Sequence, residues 1–190
     1  MSVVRKAFEQ ALKYEEYITL GGGEPTIHPR FWEIFGLALG TFEDVWLATN
    51  GSNTETTLAL AKLAERGIVG VALSRDKYHD DVSPKVLEAF DNTRLNLGQT
   101  SLYDNTPRDR REIRNSEGNE IKGGRCLEGN DKGCLCEDFI IKPNGNVYRC
   151  ACVNAPFLGN VVQHEVDFGF RGCYNGEDYK DYLEDMEEYA

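Results

Sequence analysis

The chain has 190 residues, 41% of them hydrophobic and with nine Phe, nine Tyr and two Trp, enough apolar mass for a packed core and too much for a disordered chain. Its net charge of −11 excludes a surface that tracks phosphates, because nucleic-acid binders carry a basic stripe. No run approaches the ~20 consecutive apolar residues that a membrane helix needs.

The first ninety residues alternate helical and extended patterns. Val4, Ala7, Phe8, Ala11 and Leu12 share one helical face. Tyr17 to Leu20 is a short extended run that breaks into Gly21-Gly22-Gly23. Pro29 opens a helix through Phe31, Ile34, Phe35 and Leu39, since a first helical turn tolerates proline. Val45 to Ala48 reads as the next strand, ending in Thr49-Asn50-Gly51. Ser52 and Glu55 have capping-box spacing, and Gly67 closes the helix they start. Ile68 to Leu73 is a continuous apolar run, as in a parallel strand buried on both faces, and it ends in Ser74-Arg75-Asp76. Ser83-Pro84 then opens a helix through Val86, Leu87 and Phe90.

Strand then helix, three times over at intervals of roughly 25 residues, predicts an α/β fold with a parallel sheet and right-handed crossovers. Chemistry in such folds gathers at the C-terminal ends of the strands. Here those ends carry Gly22-Gly23-Glu24-Pro25, Thr49-Asn50-Gly51-Ser52 and Ser74-Arg75-Asp76. Glu24, a carboxylate between glycine and proline, has no evident core role and reads as functional. His28, before a proline at a helix start, reads as structural. His79 and His164 lie near the presumed sites, and an exposed loop position is the simpler reading of His164.

From Asn92 to about Gly124 the periodicity fades among Arg94, Arg108, Arg110, Arg111 and Arg114, with one further strand expected near Leu95. Asp138 to Lys142 and Asn146 to Arg149 then flank Pro143-Asn144-Gly145, a strong hairpin signal. From Glu177 to Glu188, seven carboxylates accompany one lysine, the pattern of a solvated terminal helix.

Six cysteines, Cys126, Cys134, Cys136, Cys150, Cys152 and Cys173, fall within 48 residues, and none precedes them. Met1 to Lys6 leads directly into Glu9 and Glu15 without an apolar signal core, so a cytosolic chain with reduced thiols is expected. In that setting clustered cysteines read as metal ligands rather than disulfides. The hairpin brings Cys134-x-Cys136 toward Cys150-x-Cys152, a thiolate set suited to an iron–sulfur cluster, with zinc as the alternative. Cys134, Cys136 and Cys150 are expected on one centre, the fourth position falling to Cys126, Cys152, Cys173 or a non-protein ligand.

Leu20-Gly21-Gly22-Gly23-Glu24-Pro25-Thr26-Ile27-His28-Pro29 resembles the second-strand motif of radical S-adenosylmethionine (SAM) enzymes. Thr49-Asn50-Gly51 and the segment from Ser74 to Asp80 resemble that family's third and fourth strand ends. Cys136-x13-Cys150, Gly145 and Leu158-Gly159-Asn160-Val161 are similar to the auxiliary-cluster modules called SPASM and twitch domains. The resemblance implies a (βα) barrel and an auxiliary cluster; it further implies SAM held by Gly22, Gly23, Glu24 and Pro25, with Asn50 and Ser74 approaching its carboxylate and ribose. The family's C-x3-C-x2-C, which holds the SAM-cleaving cluster after the first barrel strand, does not occur in these residues. The expectation is therefore an incomplete barrel over residues 1–115, a cysteine-rich hairpin module over 116–175 and an acidic tail over 176–190. Truncation, a second polypeptide that supplies the missing strand, or loss of the radical chemistry would each explain it. The rival expectation is a non-enzymatic iron–sulfur or zinc module that uses the barrel remnant to bind a partner.

Overall fold

The computed structural model describes residues 1–75, 81–91, 109–115, 139–150 and 155–168. The chain forms two compact units, one of Glu15–Asn119 and one of Met1–Tyr14 with Glu120–Ala190.

In the first of these, β1 (Tyr17–Leu20) leads through a 3-10 turn (Pro25–Ile27) into α2 (Phe31–Leu39), α1 (Ser2–Ala11) belonging to the other unit. There follow β2 (Asp44–Thr49), α3 (Thr54–Glu65), β3 (Gly70–Arg75), α4 (Pro84–Phe90) and β4 (Arg111–Asn115). The four strands are all parallel and lie side by side in chain order. Leu20 stands opposite Leu47, and Leu47 opposite Val71, so the expected α/β class with adjacent parallel strands is what the chain forms. With chain-ordered strands, right-handed crossovers put every connecting helix on the same face of the sheet.

Burial follows that asymmetry. Val45, Leu47, Thr49, Val71 and Leu73 alternate on one face and are buried, as are Phe35, Ala38, Leu60, Ala64, Val86 and Phe90 of the helices. Each fully buried aliphatic or aromatic side chain contributes about 2 kcal/mol, so this layer is the main source of the unit's stability. On the opposite face Tyr17, Thr19, Glu112 and Arg114 are exposed. β3 is buried from Gly70 to Leu73, as a central strand requires. It starts two residues later than the apolar run, because Gly67 (φ 74°) ends α3 and leaves Ile68 exposed in the connection.

β4 has one apolar residue, Ile113, among Arg111, Glu112, Arg114 and Asn115, and it pairs with β3 along its whole length. Ion pairs hold what hydrophobicity does not. Arg110 grips Asp44 at the start of β2 with two parallel bonds of 2.6 and 2.9 Å. Arg111 bonds Asp109 at 2.6 Å and the Ala89 carbonyl at the end of α4 at 2.7 Å. The strand expected near Leu95 lies outside the described residues.

In the second unit β5 (Ile140–Ile141), β6 (Asn146–Tyr148) and β7 (Phe157–Asn160) form an antiparallel sheet in that order. The hairpin sits where Asn144-Gly145 predicts it, with Gly145 at φ 87°. Helix α1 (Ser2–Ala11) packs in this unit rather than against the strand that follows it in the chain. Its Gln10 side chain is buried and donates to the carbonyls of Val161 (3.1 Å) and His164 (3.0 Å), while accepting from the Val166 amide (2.8 Å). Lys13 pairs with Glu165, and the Tyr14 ring lies 4.8 Å from that of Phe168. The apolar face read from sequence is thus only partly buried: Ala7 and Phe8 are inside, and Leu12 is exposed.

Candidate functional site

The densest polar network among the described residues joins the C-terminal ends of β1 and β2. Gly22 (φ 87°) and Gly23 (φ 51°) adopt left-handed backbone that glycine reaches without strain. A Cβ at either position would meet nothing within 4 Å, so their main chain faces open space. The turn they make delivers Glu24 to the cap of the 3-10 turn, with Pro25 in its first position.

Glu24 accepts four hydrogen bonds. Its Oε1 takes the Thr26 amide (3.0 Å), the Thr26 hydroxyl (2.6 Å) and the Thr49 hydroxyl (2.8 Å). Its Oε2 takes the Asn50 amide at 2.6 Å. One carboxylate therefore ties the loop after β1 to the last residue of β2 and to the first residue beyond it. The sequence reading gave Glu24 no structural work, and the structure assigns it this brace. A carboxylate has about four acceptor directions, two on each oxygen, so Oε2 keeps one open while Oε1 is crowded.

Asn50 folds back on itself, its Oδ1 accepting from the Ser52 amide at 2.9 Å. The N-cap of α3 is Asn53 rather than Ser52: Asn53 Oδ1 accepts from the Thr56 amide (3.2 Å), and its Nδ2 donates to the Thr26 carbonyl (2.9 Å). Asn53, Thr26 and Thr49 were missed as members of this network. Asn three residues before Thr56 satisfies the ordinary N-cap pattern and was the signal available. Gly51 (φ 76°) is closed in, since a Cβ there would sit 3.1 Å from both Leu73 Cδ1 and Val82 Cγ1.

The structure thus brings Gly22, Gly23, Glu24, Pro25 and Asn50 together. Ser74 stands near the end of β3, at the same edge of the sheet and two strands from β1, half-buried. His28 is exposed, and its Nδ1 accepts from the Arg30 amide at 3.1 Å, a local role at the entry to α2. Residues 76–80, which include His79, lie outside the described residues.

Of the six cysteines only Cys150 is described, and it is a buried free thiol. Cys126, Cys134, Cys136, Cys152 and Cys173 lie outside the described residues, and among those described no three His, Cys, Asp or Glu side chains gather as a metal site. Cys150 follows the buried Arg149, whose guanidinium carbon lies 5.0 Å from the Phe139 ring centroid. The segment Leu158 to Val161 has a structural use. Asn160 Nδ2 donates to the Asn144 carbonyl (3.1 Å) and to Asn146 Oδ1 (2.7 Å), and its Oδ1 accepts from the Val162 amide (2.9 Å), which locks β7 to the hairpin turn. A Cβ on Gly159 would press on the His164 ring at 2.6 Å. His164 itself is exposed.

Against proteins of known name, the chain matches 70 residues of one from Mycobacterium ulcerans (strain Agy99) at 37% identity, over 37% of this chain and 19% of that one. The chain is similar to mycofactocin maturase MftC. The MftC of Mycolicibacterium smegmatis matches at 37% identity over 70 residues, 37% of this chain and 18% of that protein. That of Mycobacterium tuberculosis (strain CDC 1551 / Oshkosh) matches at 38% over 60 residues, 32% and 15% of the two chains. The chain therefore spans less than a fifth of the length of these relatives. These partial matches support the radical SAM superfamily at the coarse level. No family model and no solved structure matches the chain. Among the described residues no helix is long and apolar enough to cross a membrane.

Proposed function

We propose that the chain is a cytosolic radical SAM-type iron–sulfur protein whose sheet is part of a (βα) barrel. The observation that carries this reading is the Gly22–Pro25 turn. Two left-handed glycines with open main chain stand at the C-terminal end of a chain-ordered parallel sheet, followed at once by a carboxylate anchored to the next strand. An open backbone of this kind fits the amino group of SAM, which the carbonyls of Gly22 and Gly23 and the open direction of Glu24 Oε2 would accept. Asn50 and Ser74, at the next two strand ends, would take its carboxylate and ribose. SAM on a [4Fe–4S] cluster, given one electron from an external reductant, would supply a 5′-deoxyadenosyl radical with methionine as the other product; the protein's part is to orient the substrate and exclude water.

Two further parts belong to the proposal. Cys134, Cys136 and Cys150, with Cys126, Cys152, Cys173 or a non-protein ligand, hold an auxiliary cluster in the C-terminal module, and zinc is the alternative occupant. The strand bearing C-x3-C-x2-C pairs with the outer edge of β1, which has a strand on one side only among the described residues. That strand comes from a second polypeptide or from a longer form of the chain.

Anaerobic reconstitution with iron and sulfide, followed by iron, sulfide and zinc analysis, tests the cysteine module. Iron and sulfide in near-equal amounts are expected, and zinc alone would overturn the cluster. The reconstituted chain by itself is expected to release no 5′-deoxyadenosine from SAM and a reductant, because no thiolate precedes Cys126 to hold a cluster beside Gly22. Addition of a polypeptide carrying C-x3-C-x2-C is expected to start turnover. Multiple turnovers without it would refute this arrangement. The second reading, a non-enzymatic metal-binding protein, is favoured by that same lack of early cysteines and would be supported if no such polypeptide restores turnover.

A further inference from the structure

The face of the sheet opposite the described helices carries, besides Ser74, a group of side chains that the strand-end site does not use. Strand alternation and register place Thr19, Trp46 and Gly70 in one row across it, Ala48, Ala72 and Glu112 in the next, and Ser74 with Arg114 beyond. The centre of this face is built low. A Cβ on Gly70 would overlap the Trp46 indole, so the ring lies over β3 only because residue 70 is glycine. Arg114, two strands from Trp46, reaches across this floor and sets its guanidinium carbon 4.2 Å from the indole centroid. Glu112 takes one side of the guanidinium, accepting from Arg114 Nε at 3.0 Å. The Nη groups of Arg114 and the indole N–H of Trp46 have no hydrogen-bond acceptor among the described residues. Half of the Arg114 side chain remains exposed.

We infer that Arg114 and Trp46 form a binding site for the single carboxylate of a monoanionic ligand at this face. Stacking fixes the plane of the guanidinium, and a fixed fork accepts the two oxygens of a planar carboxylate at little entropic cost. The neighbouring Glu112 already offsets the charge of Arg114, so a dianion such as phosphate gains less here than a monoanion does. The inference stands on the sheet alone and does not rest on the SAM reading.

The test uses the full chain carrying Trp32→Phe, which leaves Trp46 as its single tryptophan. Benzoate is titrated while indole emission is followed, with benzamide and inorganic phosphate as controls. A saturable response to benzoate is expected, at least tenfold tighter than to benzamide or phosphate. Arg114→Gln is expected to weaken benzoate binding tenfold or more with unchanged far-UV circular dichroism. Glu112→Gln is expected to tighten it several-fold, an effect that a purely structural Arg114–Glu112 pair would not produce. Equal responses to benzoate and benzamide, tighter binding of phosphate, or full affinity in Arg114→Gln would each overturn the inference.

Discussion

Glu24 illustrates how one side chain serves the fold before it serves a ligand. Two of its four bonds stay with Thr26 in the loop after β1 and two cross to the end of β2, and two of the four donors are backbone amides. Leaving such donors unpaired costs about 1–3 kcal/mol, more than a surface substitution would. Glu24→Ala is therefore expected to lower stability by about 2 kcal/mol, measured by urea denaturation. Glu24→Gln should cost less, because its carbonyl oxygen still accepts while its NH₂ faces a donor. If both variants unfold at the wild-type midpoint, the brace carries no weight. The sequence placed Glu24 correctly at a strand end, since Gly-Glu-Pro fits no regular element. Its bonding partners Thr49 and Asn50 stand 25 and 26 residues away and become neighbours only once the strands pair.

β4 shows the same limit at the scale of an element. Tyr17–Leu20, Asp44–Thr49 and Gly70–Arg75 announce themselves by local apolar runs, and so does the hairpin by its Asn-Gly turn. Arg111–Asn115 has no such run, and its place in the sheet depends on partners distant in sequence. β7, likewise, was seen as a motif and not as a strand, because glycine at 159 weakens an extended pattern. The charge pairs around β4 make a pH-dependent prediction. Burial opposes charge on Asp109, but hydrogen bonds from the Arg111 side chain and amide outweigh it and hold the carboxyl below the ordinary Asp range. A lowered folded-state pKa means stabilisation that is present above the unfolded value and lost as pH falls through the folded one. Asp109→Asn is expected to cost about 2 kcal/mol near neutral pH and progressively less in acid below the ordinary carboxylate range. A cost that stays constant from pH 7 to pH 3 would show that Asp109 acts by shape and not by charge.

At the scale of the molecule, the unit that holds α1 is assembled from distant parts of the chain. Gln10 bonds carbonyls more than 150 residues away, and the whole parallel sheet is spelled out between them. On a ribosome the four described strands are made long before Val161 to Val166 exist, so α1 must wait without its partner while the middle of the chain folds. Domains generally form as units in the order they are made, and this one closes a loop of great length as its last act. Chains halted after residue 119 are expected to give a protease-resistant sheet with α1 cut away, whereas the full chain protects α1. Gln10→Ala should bring back part of that cleavage in the full chain without touching the sheet. Helix α1 would then be made before the sheet and seated after it.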